Sequence, residues 1–288
     1  MKRIVVFGSN GQLGKTLKSI IKKEPNEYVF CSKKDVDITD KSILERVFNE
    51  QNFDFCVNCA AYTNVEGAEK KEDEAFLINA KGVKNIAEVC ALYDVKLIHI
   101  STDYVFDGKK KNPYKTSDKP NPINQYGKSK LKGEFYIKET LKQYYIIRTS
   151  WLYSIYGKNF LKTIINSVVD NKPISITTKQ QGTPTSCLDL SEFIKFIINN
   201  SISYGVYNFS ARGNTSWYGF AKEIVQHYCA EKTNIISSTN NFVTLANRPK
   251  YSVLDVNNTE RVYKELNKWQ HSVKTIVEII KNDNYSII

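Results

Sequence analysis

The sequence predicts an α/β protein: a doubly wound parallel sheet with a smaller, discontinuous C-terminal domain. Three observations predict it. Short β-branched runs alternate with helical patterns from Ile4 to Thr149, and strand-helix-strand repetition favours parallel pairing with crossover helices. Three glycines, Gly8, Gly11 and Gly14, stand between the first run and the first helical pattern. Beyond Thr149 the alternation gives way to irregular stretches punctuated by turn residues, such as Gln181-Gly182-Thr183-Pro184-Thr185 and Asn247-Arg248-Pro249.

In chain order, Ile4 to Phe7 reads as the first strand and Gln12 to about Lys23 as the first helix. A strand from Tyr28 to Cys31, a helix from Lys41 to Glu50 and a strand from Phe55 to Asn58 follow. The series continues with a helix from Glu74 to Tyr93, a strand from Leu97 to Ile100, a helix from about Asn124 to Lys142 and a strand from Tyr145 to Thr149. Later helices are expected at Asn159 to Val169, Leu188 to Asn199, Trp217 to Cys229 and Val273 to Ile280. The expected division is a first domain over 1–150, with a segment near 187–209 returning to it, and a second domain from 151–186 and 210–288.

With 288 residues, 41% hydrophobic and 25% charged, the chain can bury a large core, which excludes a disordered protein. The apolar run Ile4 to Phe7 is too short for the core of an export signal, and no run approaches a membrane span, so a soluble cytoplasmic protein is expected. Six scattered cysteines in such a chain do not form a disulfide framework. Cys56 and Cys59 have the spacing of a metal half-site, but no second pair accompanies them, and both read as buried small residues. The three histidines, His99, His227 and His271, are far apart, and no metal site is expected. The net charge of +11 is spread along the chain without a nucleic-acid-binding motif. It favours phosphate-bearing ligands and gives no reason to expect nucleic acid as a partner.

Gly8-Ser9-Asn10-Gly11-Gln12-Leu13-Gly14 leaves a strand and opens a helix. Glycines there permit a tight turn, and the helix start offers unpaired N–H groups to a pyrophosphate, as in a Rossmann-type dinucleotide site. Tyr126 and Lys130, four apart on a predicted helix, put a phenol and an ammonium on one face. A neighbouring ammonium favours the phenolate, and so is expected to lower the tyrosine pKa from about 10.

These segments, with Asn58 to Thr63 and Ser101-Thr102-Asp103-Tyr104-Val105-Phe106-Asp107-Gly108, resemble an extended short-chain dehydrogenase/reductase, and more narrowly the dTDP-4-dehydrorhamnose reductase family. The likeness continues through Arg148 to Tyr153, Gly157 to Phe160, Gln181 to Thr185 and Arg248-Pro249, nearly the whole chain. The resemblance implies that Gly11, Gln12 and Leu13 hold the cofactor pyrophosphate within the Gly8-to-Gly14 loop. It also implies that Asp37 and Ile38 border the adenine, and that Ala61, Tyr62 and Thr63 line the path to the nicotinamide. Thr102 and Asp103 would meet the sugar and Trp151 would pack against it. Tyr126 would supply a proton, Lys130 would tune Tyr126 and hold the nicotinamide ribose, and Thr102 would hydrogen-bond the carbonyl. Some relatives bridge a dimer through glutamates and a divalent metal. Thr16 and Leu188 stand at those positions here, so the oligomeric state is left open between monomer and homodimer.

The function so implied is NAD(P)H-dependent reduction of dTDP-4-dehydro-L-rhamnose to dTDP-L-rhamnose for surface polysaccharide. Ser32 and Lys33 at the end of the second strand favour the 2′-phosphate of NADPH, while Asp35 and Asp37 keep NADH open. Two alternatives stand beside it. One is a reductase of a related 4-keto-6-deoxy sugar nucleotide, giving for example 6-deoxy-L-talose. The other is a cofactor-binding regulatory subunit resembling the β-subunit of methionine adenosyltransferase.

Overall fold

The computed structural model describes residues 1–21, 25–241 and 243–282. Its first half contains β1 (Arg3–Phe7), α1 (Gln12–Ile20), β2 (Glu27–Cys31), α2 (Lys41–Glu50) and β3 (Phe55–Asn58). The expected end of the first helix, near Lys23, lies outside the described residues. Next come α3 (Val65–Lys70), α4 (Glu72–Phe76), a π-helical turn (Leu77–Gly82) and α5 (Val83–Leu92). A single helix over Glu74 to Tyr93 was expected there; the observed path is broken. Wide turns of this kind cluster at functional sites, and this one places Asn79, whose amide bonds both the N–H and the carbonyl of Tyr62.

The chain continues through β4 (Lys96–Thr102), α6 (Gln125–Thr140), β5 (Tyr144–Thr149), β6 (Leu152–Tyr153), α7 (Phe160–Val169), β7 (Ile174–Thr177), β8 (Gln181–Gly182) and β9 (Thr185–Ser186). It closes with α8 (Cys187–Asn199), β10 (Gly205–Asn208), β11 (Thr215–Ser216), α9 (Trp217–Tyr228), β12 (Ile236–Thr239), α10 (Asn257–Val262) and α11 (Trp269–Asn282).

Six strands form one parallel sheet in the order β10-β5-β4-β3-β1-β2. Alternate residues of each strand feed opposite faces. Ile4, Val6 and Val57 meet α1 and α8 on one side, and Val5, Phe7 and Cys56 meet α2 and α5 on the other. A third core, apart from the sheet, gathers α7, α9 and α11 around Ile164, Phe220, Ile224 and Val277. The strand order reverses between β1 and β3, where doubly wound sheets open a crevice beyond the strand ends. The candidate site lies there.

Candidate active site

The glycine loop crosses that crevice at close quarters. Gly8 has φ +77°, and a Cβ on it would stand 2.5 Å from the Ala60 nitrogen after β3, so both conformation and space require glycine. Gly11 caps α1 without a side-chain bond to the helix, leaving the first-turn N–H groups directed at the cleft. Gly11, Gln12 and Leu13 line a cleft of about 510 Å³. Gly14 lies beneath the loop, against the Gly8 carbonyl. A second hollow of about 240 Å³ shares Asn10, Gly11, Cys59 and Ala61 with the first, and adds Gly8, Lys33, Asp37 and Ile38. Cys59, expected to be buried, is only partly so on this shared wall, because β3 ends one residue before it.

Tyr126 and Lys130 reach the larger cleft from the first turns of α6, and Thr102 and Asp103 from the end of β4. Two devices fix α6. Asn124 caps it by accepting from Gly127 N at 2.7 Å. Further along, the fully buried Glu134 takes a two-bond contact from Arg148 of β5, at 2.9 and 2.7 Å, and a third from Ser101 Oγ at 2.6 Å. Burial alone would raise the Glu134 carboxyl; Arg148 and Ser101 bring it below the usual range.

Burial pushes the Tyr126 phenol well above its ordinary pKa, against a lowering hydrogen bond from Thr102. The expected lowering by Lys130 does not govern here. The Lys130 nitrogen lies 2.7 Å from the Ile100 carbonyl and 3.3 Å from His99 Nε2, and burial brings it down to about 8. Asp103 is raised to about 7 by burial, against the Ser252 and Thr102 hydroxyls. Thr102 also caps the short turn after β4 through Tyr104 N, so its capping and cleft positions coincide.

Trp151 has φ +48° and stacks on Trp217 at 3.7 Å and 9°, both rings lining the cleft. Ala61 and Thr63 line the cleft as well, whereas Tyr62 lies outside these walls with its hydroxyl against Gly67 of α3. Sequence reasoning assigned no role to Trp217, Arg248 or His99. Arg248, inside the Asn-Arg-Pro segment, lines the cleft and binds Glu66 at 2.7 Å and Tyr104 Oη at 3.2 Å. Its place beside a proline turn was the available signal; Trp217 offered only its residue type.

A glycine loop at the sheet's switch point, with tyrosine, lysine and threonine in the adjoining cleft, defines a dinucleotide-dependent oxidoreductase of the short-chain type. Residues 1–282 match the family described as RmlD substrate binding domain, and the chain belongs to that family. It is 35% identical over 287 residues to a dTDP-4-dehydrorhamnose reductase of Sinorhizobium fredii, covering 96% of each chain. It is 32% identical to that of Aggregatibacter actinomycetemcomitans, over 96% of this chain and 98% of the other. The crystal structure of dTDP-4-dehydrorhamnose reductase from Bacillus anthracis in complex with NADP superposes with a TM-score of 0.90 at 38% identity, over 96% of this chain and 99% of that one. Among the described residues no helix is long and apolar enough to cross a membrane.

Proposed function

We propose that this chain reduces the C4 ketone of dTDP-4-dehydro-L-rhamnose to dTDP-L-rhamnose with NADPH. The observation that carries the reading is the convergence of Tyr126, Lys130, Thr102 and Asp103 on a cleft continuous with the glycine loop. The relatives' names supply the substrate class, and the NADP complex of the Bacillus anthracis protein supports the cofactor.

The residues present fit a dinucleotide. The space that a Cβ at Gly8 would close and the uncapped start of α1 suit a pyrophosphate, and the second hollow beside Lys33, Asp37 and Ile38 suits the adenosine end. Gly11, Gln12 and Leu13 would hold the pyrophosphate, Asp37 and Ile38 the adenine, Ala61 and Thr63 the nicotinamide, and Lys130 its ribose. Lys33 is exposed and 3.8 Å from Asp37, so its ammonium is free to turn to a 2′-phosphate. When bound, the cofactor supplies the hydride.

Tyr126 then donates its proton to the oxygen on which charge develops. The raised phenol suits this task, because it keeps its proton until an alkoxide forms on the substrate. Thr102 hydrogen-bonds the same oxygen, Asp103 accepts from a sugar hydroxyl, and the Trp151–Trp217 stack packs against the apolar face of the substrate. The division into a cofactor domain (1–150 with 187–209) and a substrate domain (151–186 and 210–288) is part of the reading. The place of β10 in the sheet and the separate third core support it. So is a cytoplasmic location, where the nucleotide sugar and NADPH are available.

The direct test supplies NADPH and dTDP-4-dehydrorhamnose to the purified protein and follows the absorbance of reduced nicotinamide, with the sugar product identified by NMR. dTDP-L-rhamnose is expected; absence of oxidation, or the talose epimer as product, would contradict the reading.

A further inference from the structure

His99 is fully buried on β4, between Asn58 and Lys130. Its Nδ1 is 3.1 Å from Asn58 Nδ2, and its Nε2 is 3.3 Å from Lys130 Nζ. The donor arithmetic fixes its tautomer. The Ala60 N–H can only donate, and lies 3.0 Å from Asn58 Oδ1, so the Asn58 amide turns its NH₂ group to His99. That NH₂ can only donate, so Nδ1 accepts and the single proton of a neutral ring sits on Nε2. Burial holds the ring neutral. Nε2–H therefore faces Lys130 Nζ. An ammonium there would set donor against donor, whereas a neutral amine accepts through its lone pair. Moving the ring proton to Nδ1 would create the same conflict at Asn58. Only a deprotonated Lys130 satisfies every contact in the chain Ala60–Asn58–His99–Lys130.

We propose that His99, held by Asn58 as its Nε2–H tautomer, is a positioning residue that fixes Lys130 and favours release of its proton. In turnover the Tyr126 O–H bond breaks as the substrate alkoxide becomes a hydroxyl. Cleft water then gives a proton to re-form the Tyr126 O–H and takes one in turn as a Lys130 N–H bond breaks, and the amine lone pair accepts from His99 Nε2–H. Solvent returns a proton to Lys130 after the product has left. The groups that face Lys130 are His99 and the Ile100 carbonyl on β4, Cys59 after β3 and Glu134 on α6, and Tyr126 lines the same cleft. Cys59 and Glu134 favour the ammonium, but Glu134 is already matched by Arg148. His99 opposes it.

The proposal rests on Lys130 belonging to the reducing site, yet its test reads histidine and lysine directly, so the two can fail separately. Nitrogen-15 NMR of the unliganded wild-type protein, with the His99 signals assigned through His99→Gln, should show Nε2 protonated and Nδ1 bare between about pH 6 and 9. In protein carrying ¹³Cε-labelled lysine, with the Lys130 signal assigned through Lys130→Met, the substitution His99→Leu removes the opposing N–H dipole. The titration midpoint of Lys130 should then rise by about 0.5 to 1 pH unit, the worth of one hydrogen bond. A proton on Nδ1 overturns the proposal, as does a midpoint unchanged or lowered in His99→Leu. Should His99→Leu fail to fold, the wild-type tautomer alone decides.

Discussion

At the scale of single residues, burial sets the chemistry. A phenolate at Tyr126 is disfavoured by desolvation, and on the proposed mechanism the group releases its proton only to a stronger base. Tyr126→Phe should therefore lower turnover by about 10²-fold or more while leaving NADPH affinity near that of the wild type, measured by steady-state rates and fluorescence titration. Turnover close to wild type would remove Tyr126 from the mechanism. Asp103 offers a second test. Its folded pKa of about 7 stands above the ordinary 3.8 of an aspartate. The folded form thus binds the proton more tightly, and the stability this contributes is complete below pH 3.8 and lost as pH rises through 7. Asp103→Asn should stabilise the protein at about pH 8 by ~1 to 4 kcal/mol in urea unfolding, and should raise the KM for the sugar nucleotide. A destabilised variant would show that the carboxylate is compensated in the fold.

At the scale of elements, α6 is held to the sheet by the Glu134–Arg148 contact. Removing one partner strands the other charge inside, so Glu134→Gln should cost about 3 to 5 kcal/mol, read from the urea midpoint. A loss under about 1 kcal/mol would mean that Arg148 finds another partner. The helix itself was legible in the sequence, expected from about Asn124 to Lys142 and observed over Gln125–Thr140. Its buried ion pair was not, since nothing local distinguishes Glu134 from the exposed Glu139 on the same helix. The broken path from Val65 to Leu92 was missed for a related reason. Its apolar pattern suits a helix throughout, and the π turn exists because Asn79 must reach Tyr62 and Ser129, a tertiary demand. Trp151 was found through its segment, but its stacking on Trp217, 66 positions along the chain, depends on how β8 and α9 come together.

At the scale of the whole molecule, the sheet order reverses at β1 and β3, and the cofactor loop, the Asn58-to-Thr63 segment and the end of β4 converge there. Alternating strands and helices in the sequence carry that architecture, so the position of the site was legible before its geometry. On the proposed reading cofactor choice falls to the rim, where Lys33 is exposed and Asp37 partly buried. Lys33→Ala should weaken NADPH by about 1 to 2 kcal/mol and NADH little, as titrations of both cofactors would show. Equal losses would place Lys33 away from the 2′-phosphate.

The central claim is that one cleft brings hydride donor and sugar ketone together with Tyr126. Reaction with NADPH deuterated at the transferring position of nicotinamide C4 tests it most directly, with the product read by NMR. Deuterium at C4 of the sugar in dTDP-L-rhamnose, at a rate that falls with Tyr126→Phe, is the expected result. NADPH oxidised without deuterium at that carbon, or no turnover of the sugar nucleotide, would contradict it.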